Sequence, residues 1–117
     1  MFDRNDRLRE LFRGEIAKAL RDVKDPGLSS GLLTITDIEL SEDRKSLTAF
    51  YSVLGTPIER KRTDRALERC APYIHHLLIK RLKLKLVPKV SFRFDDTPRR
   101  ASLIDKLLGD IEKERGG

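Results

Sequence analysis

Between Pro57 and Lys89 the chain sets ten cations (Arg60, Lys61, Arg62, Arg65, Arg69, Lys80, Arg81, Lys83, Lys85 and Lys89) against three acids, Glu59, Asp64 and Glu68. Side chains of this kind, gathered in excess, serve chiefly to hold charge against charge. They neutralise phosphates and release the counterions that a polyanion carries. The segment's ten-to-three balance, net +7, exceeds the +6 of the whole chain, so the other residues together are slightly acidic. A solvated helix face ordinarily mixes both signs; an imbalance so concentrated points to RNA.

The residues capable of covalent or metal chemistry are sparse. Cys70 is the only cysteine, and two histidines with one thiol do not make a usual structural zinc site. No base can be assigned to Cys70, so it reads as a small core residue. His75 and His76 are adjacent, and on a helix adjacent side chains diverge, which favours a surface or RNA-proximal role over shared metal. Asp95-Asp96 resembles half of a nuclease carboxylate set, but no further acids can be seen to converge on it. Its place ahead of a helix start makes capping the better reading. Tyr73 suits base stacking and boundary packing equally. The chain is therefore expected to be non-enzymatic, without metal or cofactor.

At 117 residues with 38% hydrophobic and 38% charged content, one modest core can be buried, so residues 1–117 are read as one domain. No apolar run approaches the roughly 18 residues that cross a bilayer, and no signal peptide opens the chain. With the lone cysteine, these features predict a soluble cytoplasmic protein with no membrane partner, a monomer by default.

The elements that must position the cations follow from periodicity. Leu8, Leu11, Phe12, Ile16, Leu20 and Val23 make one helical stripe, stopped by Asp25-Pro26-Gly27. Leu32 to Leu40 and Ser46 to Leu54 read as an antiparallel hairpin, and the three-residue step from Ile35 to Ile38 breaks strict alternation and predicts a bulge near Asp37. Thr56-Pro57-Ile58-Glu59 carries a capping box with proline at the first helical position. The helix it starts buries Leu67, Cys70, Ile74, Leu77, Leu78 and Leu82. Pro72 must bend or break it, one bent helix and two helices joined by a corner being equally open. Val90, Phe92 and Phe94 alternate as a third strand, and Asp96-Thr97-Pro98 leads into a last helix with Ile104, Leu107, Leu108 and Ile111 on one face. The charged 112–117 end is expected to fray.

The order α-β-β-α (kinked at Pro72)-β-α with a three-stranded sheet predicts an α+β two-layer domain. It resembles a type II KH-like domain, although the GxxG loop that clamps a nucleic-acid backbone is absent. The resemblance sharpens in Glu15-Ile16-Ala17, Lys24-Asp25-Pro26, Leu33-Thr34-Ile35-Thr36-Asp37-Ile38-Glu39-Leu40-Ser41, Tyr51-Ser52-Val53-Leu54-Gly55, Arg81-Leu82 with Pro88, and Asp95-Asp96 before Ile104-Asp105-Lys106-Leu107-Leu108. In order and spacing, from Arg7 to Leu108, these are similar to the ribosome-binding factor A family. Members generally carry Ala-x-Gly at an interhelical kink. The matching positions here are Cys70, Ala71 and Pro72, where proline reaches a bend by fixing φ and deleting a donor instead of permitting unusual dihedrals.

The resemblance implies a non-enzymatic bacterial factor that binds the free 30S small ribosomal subunit and its 16S rRNA near the 5′ end and the neck. It further implies help in processing the 16S precursor, departure before translation, and a link to cold adaptation. The ten cations would be the RNA contacts, straddling a phosphate backbone on both sides of the bend. Two other readings start from the same residues. A general KH-like RNA-binding protein or RNA chaperone would bind unrelated structured RNAs equally, and a basic adapter would grip an acidic protein. Against the adapter, the chain has no Trp, two Tyr and five Phe, mostly at expected core positions.

Overall fold

A computed structural model describes residues 4–96. Within it the order is α1 (Arg4–Asp22), a 3-10 turn (Pro26–Ser29), β1 (Leu32–Leu40), β2 (Ser46–Leu54), α2 (Pro57–Arg81) and β3 (Lys89–Phe94). The expected last helix over Ile104–Ile111, Thr97-Pro98 of its start and the 112–117 end lie outside the described residues. The architecture is α+β: one core gathers Phe12, Ile16 and Leu20 of α1, Leu67, Ile74 and Leu78 of α2, and the facing residues of the sheet. No helix among the described residues is long and apolar enough to cross a membrane.

The sheet order is β1-β2-β3, with β1 antiparallel and β3 parallel to the central β2. Ile35 pairs with Tyr51 and Asp37 with Phe50, so Thr36 is the additional residue that the Ile35–Ile38 step requires. Both isoleucines consequently reach the core, at 8% and 3% exposure. The bulge also sends the Thr36 hydroxyl to Asp95, donating to Oδ2 at 2.6 Å, while the Asp95 amide donates to the Tyr51 carbonyl at 2.8 Å. On the inner face of β2 lie Leu47, Ala49 and Tyr51, all buried.

Helix α1 differs from its expected stripe at one position. Leu11 is 40% exposed and Ala19 is fully buried. At about 100° per residue Leu11 lies more than a quarter-turn from the line through Phe12, Ile16 and Ala19, and the small alanine allows close packing on the sheet and α2. After Asp22 the chain forms a 3-10 turn capped by Asp25, whose Oδ1 accepts from the Gly27 amide at 2.9 Å. Arg69 holds the same carboxylate through Nη2, 3.1 Å from each oxygen. The Gly27 amide foremost, with Arg69, keeps the Asp25 carboxyl below its ordinary 3.8.

Helix α2 opens on both halves of the capping box: Thr56 Oγ1 accepts from the Glu59 amide and Glu59 Oε1 from the Thr56 amide. It runs 25 residues without a break through Pro72, so of the two outcomes left open the corner between separate helices does not form. Pro72 is exposed, and so is Glu68 on the same side of the helix, whose carbonyl loses its intrahelical donor to the proline. The buried face includes Thr63 and Ala66, which the leucine pattern does not reveal, whereas Leu77 and Leu82 are only half-buried. Both additional residues serve the 3-10 turn. Thr63 Oγ1 lies 3.2 Å from the Gly27 carbonyl, and a Cβ on Gly27 would stand 2.7 Å from Ala66 Cβ and 3.0 Å from the Arg62 carbonyl oxygen.

Three stability outcomes follow. Gly27→Ala forces the turn off the helix backbone and lowers stability by about 1–3 kcal/mol in urea unfolding. Pro72→Ala restores the missing amide; a gain of about 3 kcal/mol in helix propensity less about 1 for the freer unfolded chain leaves a net rise of about 2 kcal/mol. Asp25→Asn lowers Tm at neutral pH. Because the folded-state value of Asp25 is depressed, its contribution is fully present above 3.8 and is lost as pH falls through the lower folded value. A Tm series should therefore show the wild-type advantage over Asp25→Asn closing in acid below 3.8.

Candidate nucleic-acid interface

All ten cations expected from sequence are exposed. Seven stand on α2, and Lys83, Lys85 and Lys89 continue through the connection into β3. Helical geometry divides the seven. At about 100° per residue, Arg62, Arg65, Arg69 and Lys80 fall with Tyr73 and His76 inside an arc of about 80° on the solvent side, a stripe about 27 Å long. Lys61 flanks it, whereas Arg60 and Arg81, in the first and last turns, fall in the angular range of the packed face.

That division reappears in the contacts. The Arg60 guanidinium lies 3.5 Å from the centroid of Phe94, and its Nε is 3.9 Å from Asp64 Oδ2. Phe94 meets Tyr51 edge-on at 5.9 Å, and the Tyr51 hydroxyl donates to Asp64 Oδ1 at 2.6 Å. Burial first, then the Asp64 carboxylate, pushes the Tyr51 hydroxyl far above its ordinary range, so it stays a neutral donor. Arg60 thus closes a four-residue cluster joining α2 to β2 and β3. Arg81 Nη2 lies 2.7 Å from Asp22 Oδ2, and Arg69 holds Asp25. Exposed pairs of this kind contribute at most about 1 kcal/mol, so they orient the two guanidinium groups without withdrawing them from solvent. The side chains of Lys61, Arg62, Arg65, Lys80, Lys83, Lys85 and Lys89 have no ion-pair or hydrogen-bond partner among the described residues.

Three further cations converge with these. Arg4 of α1 and Arg44 of the β1–β2 turn line one hollow of about 410 Å³ with Lys85, and the Lys89 amide donates to the Lys45 carbonyl at 2.9 Å beside it. Arg44 and Lys45 escape a reading by segments because they sit among five acids between Asp25 and Thr56.

The residues with covalent or metal potential are otherwise occupied. Cys70 is 6% exposed with Sγ 3.6 Å from Asp25 Oδ2, and burial first and the Asp25 charge second push its thiol up, away from nucleophilic character. His75 is half-buried with Nε2 3.3 Å from the Val87 carbonyl, which assigns Nε2 as the donor, while His76 faces solvent. Asp95 is 3% exposed and held by Thr36. Tyr73 is 52% exposed within the basic stripe, so of its two readings the boundary-packing one is not realised.

The chain is similar to known proteins in sequence and in fold. The family model described as ribosome-binding factor A matches residues 4–108. The ribosome-binding factor A of Halothermothrix orenii is 38% identical over 109 residues, covering 92% of this chain and 88% of its own. The crystal structure of ribosome-binding factor A from Thermus thermophilus shares the fold at a TM-score of 0.65 with 23% identity, covering 75% of this chain and 91% of that one. A homology model of the Thermus thermophilus protein, fitted into the cryo-EM map of a 30S–RbfA complex, superposes at 0.60 with 23% identity, covering 74% and 89%. With a family match running through both helices and all three strands, and identity of this level over nearly the full length, the chain belongs to the ribosome-binding factor A family.

Proposed function

We propose that this chain binds the free 30S small ribosomal subunit by gripping 16S rRNA through the basic stripe of α2 and its continuation into β3. The observation that carries this reading is the row of exposed cations, seven of them unpaired among the described residues, on one long helix and the connection that follows it. Such a row neutralises successive phosphates and follows the shape of a backbone; it has no means of reading base identity along its length. Arg62, Arg65 and Lys80 are the principal contacts in this reading. Arg69 and Arg81 are presented by Asp25 and Asp22, and Arg60 contributes least because Phe94 and Asp64 hold it. Tyr73 stacks on an unpaired base beside the stripe.

The 30S complex in the Thermus thermophilus cryo-EM map, together with family membership, supports the choice of the small subunit over other polyanions. The family likeness extends the proposal: contact near the 5′ end and the neck, assistance in processing the 16S precursor without enzymatic chemistry, action as a monomer in the cytoplasm, and greatest need in the cold. The backbone at Cys70-Ala71-Pro72 would fit the helix to curved RNA, a bend set by proline where the family generally uses glycine.

Sucrose-gradient sedimentation with free small subunits, large subunits and whole ribosomes tests the proposal. The protein should migrate with free small subunits, and if about six phosphates are neutralised its affinity should fall about a thousandfold between ~50 and ~200 mM salt. The triple variant Arg62→Glu, Arg65→Glu, Lys80→Glu should keep its cooperative unfolding transition and lose the small-subunit peak. Unchanged co-sedimentation of that variant would overturn the proposed face, and migration with every particle would favour a general RNA-binding protein.

A further inference from the structure

We infer that the turn joining β1 to β2, with Arg44 at its centre, adds a second phosphate-contacting surface beyond the α2 stripe, meeting its continuation at Lys85 and Lys89 and resting on the proposal that the partner is rRNA. Three observations converge on it. The first is conformational: Arg44 has φ of 58°, the left-handed region, and it is the only non-glycine residue among the described ones that adopts a positive φ. The Arg44 amide donates to the Ser41 carbonyl at 3.0 Å, so the turn closes behind it and fixes this backbone. Glycine or asparagine meets that requirement with less strain, so nothing in the turn itself favours arginine.

The second observation is orientation. One Nη of Arg44 donates to Asn5 Oδ1 at 2.7 Å, which lays the guanidinium across the first turn of α1, where the positive end of that helix's dipole also lies. Asp43, the carboxylate lining the same hollow, is folded back into the turn, accepting from Ser41 Oγ at 2.7 Å and the Lys45 amide at 3.0 Å. These two bonds keep its pKa low and its charge directed into the turn. The third is convergence: Arg4, Arg44 and Lys85 line one concave surface, with Lys45 and Lys89 next to it, although they come from four separate parts of the chain. Arg4, Arg44 and Lys85 stand around a hollow otherwise lined mainly by apolar side chains, Leu8, Leu40, Leu84 and Leu86 among them, and present their charge to a phosphodiester backbone, which approaches a guanidinium in a fork geometry that lysine cannot match. An arginine kept at a positive φ, where glycine would sit with less strain, points to a binding role.

The substitution Arg44→Gly separates this role from a structural one, because it removes the guanidinium while supplying the residue that the backbone prefers. The variant should fold with a raised Tm, bind free 30S subunits severalfold more weakly, and lower the slope of log affinity against log salt by about 1, the loss of one phosphate contact. Arg44→Lys keeps the charge in the strained conformation and should show the wild-type salt slope with no rise in Tm. Lys85→Ala combined with Arg44→Gly should lower the slope by about 2. A more stable Arg44→Gly protein with unchanged affinity and slope would overturn the inference and leave the α2 stripe standing. Failure of the wild-type protein to bind 30S subunits would overturn both.

Discussion

Placing β3 parallel to β2 obliges the chain to travel back along the whole sheet before it can pair again, and α2 with its following connection is that passage. A crossover of this kind must bury one face and leave the other in water. Here the buried face is carried by Leu67, Cys70, Ile74 and Leu78, and the exposed one by the cations. The helix therefore secures the sheet and displays the charge through the same 25 residues. Its position depends on close approach at Gly27 and Ala66, on the Thr63 hydroxyl, and on the ring cluster of Arg60, Phe94, Tyr51 and Asp64. The 3-10 turn lies along one edge of α2 and β3 along the other. Between them they leave the helix little freedom to roll, which keeps the basic stripe turned outward.

Much of this is legible before any coordinates. Ile35 and Ile38 cannot both face a core unless a residue is inserted between them, and Thr56, Pro57 and Glu59 state the start of α2 in their side-chain chemistry. What escapes is governed by contacts across long sequence separations. Nothing near Ala66 or Thr63 says that a glycine backbone will arrive there from the α1–β1 connection. Leu11 is apolar and correctly spaced along the chain, yet its angular position sends it to solvent. The direction of β3 is also hidden, since alternation of Val90, Phe92 and Phe94 is the same for a parallel and an antiparallel edge.

The interface divides in the same way. That the ten cations are exposed follows from composition and period. Which of them are tied down does not, because Asp25 and Asp22 lie 44 and 59 residues from Arg69 and Arg81. Net charge by segment hides Arg44 and Lys45, since it sums them with five acids, of which Asp43 is spent on the Ser41 hydroxyl and the Lys45 amide. The fold converts a list of charges into a long helical face and a second cluster at the hairpin end, and it uses acids mainly to hold its own turns.

The β2–β3 pairing also fixes the order in which the sheet can form. The β1–β2 hairpin needs only neighbouring residues, but Ser46 meets Lys89 after 43 steps along the chain, so the loop-closure entropy of the third strand is met late. Until then β2 presents an open edge with Leu47, Ala49 and Tyr51 beside it, the kind of surface that recruits strands from other molecules. A chain cut before Lys89 would thus be a pairing hazard, and the growing polypeptide passes through that state each time it is made.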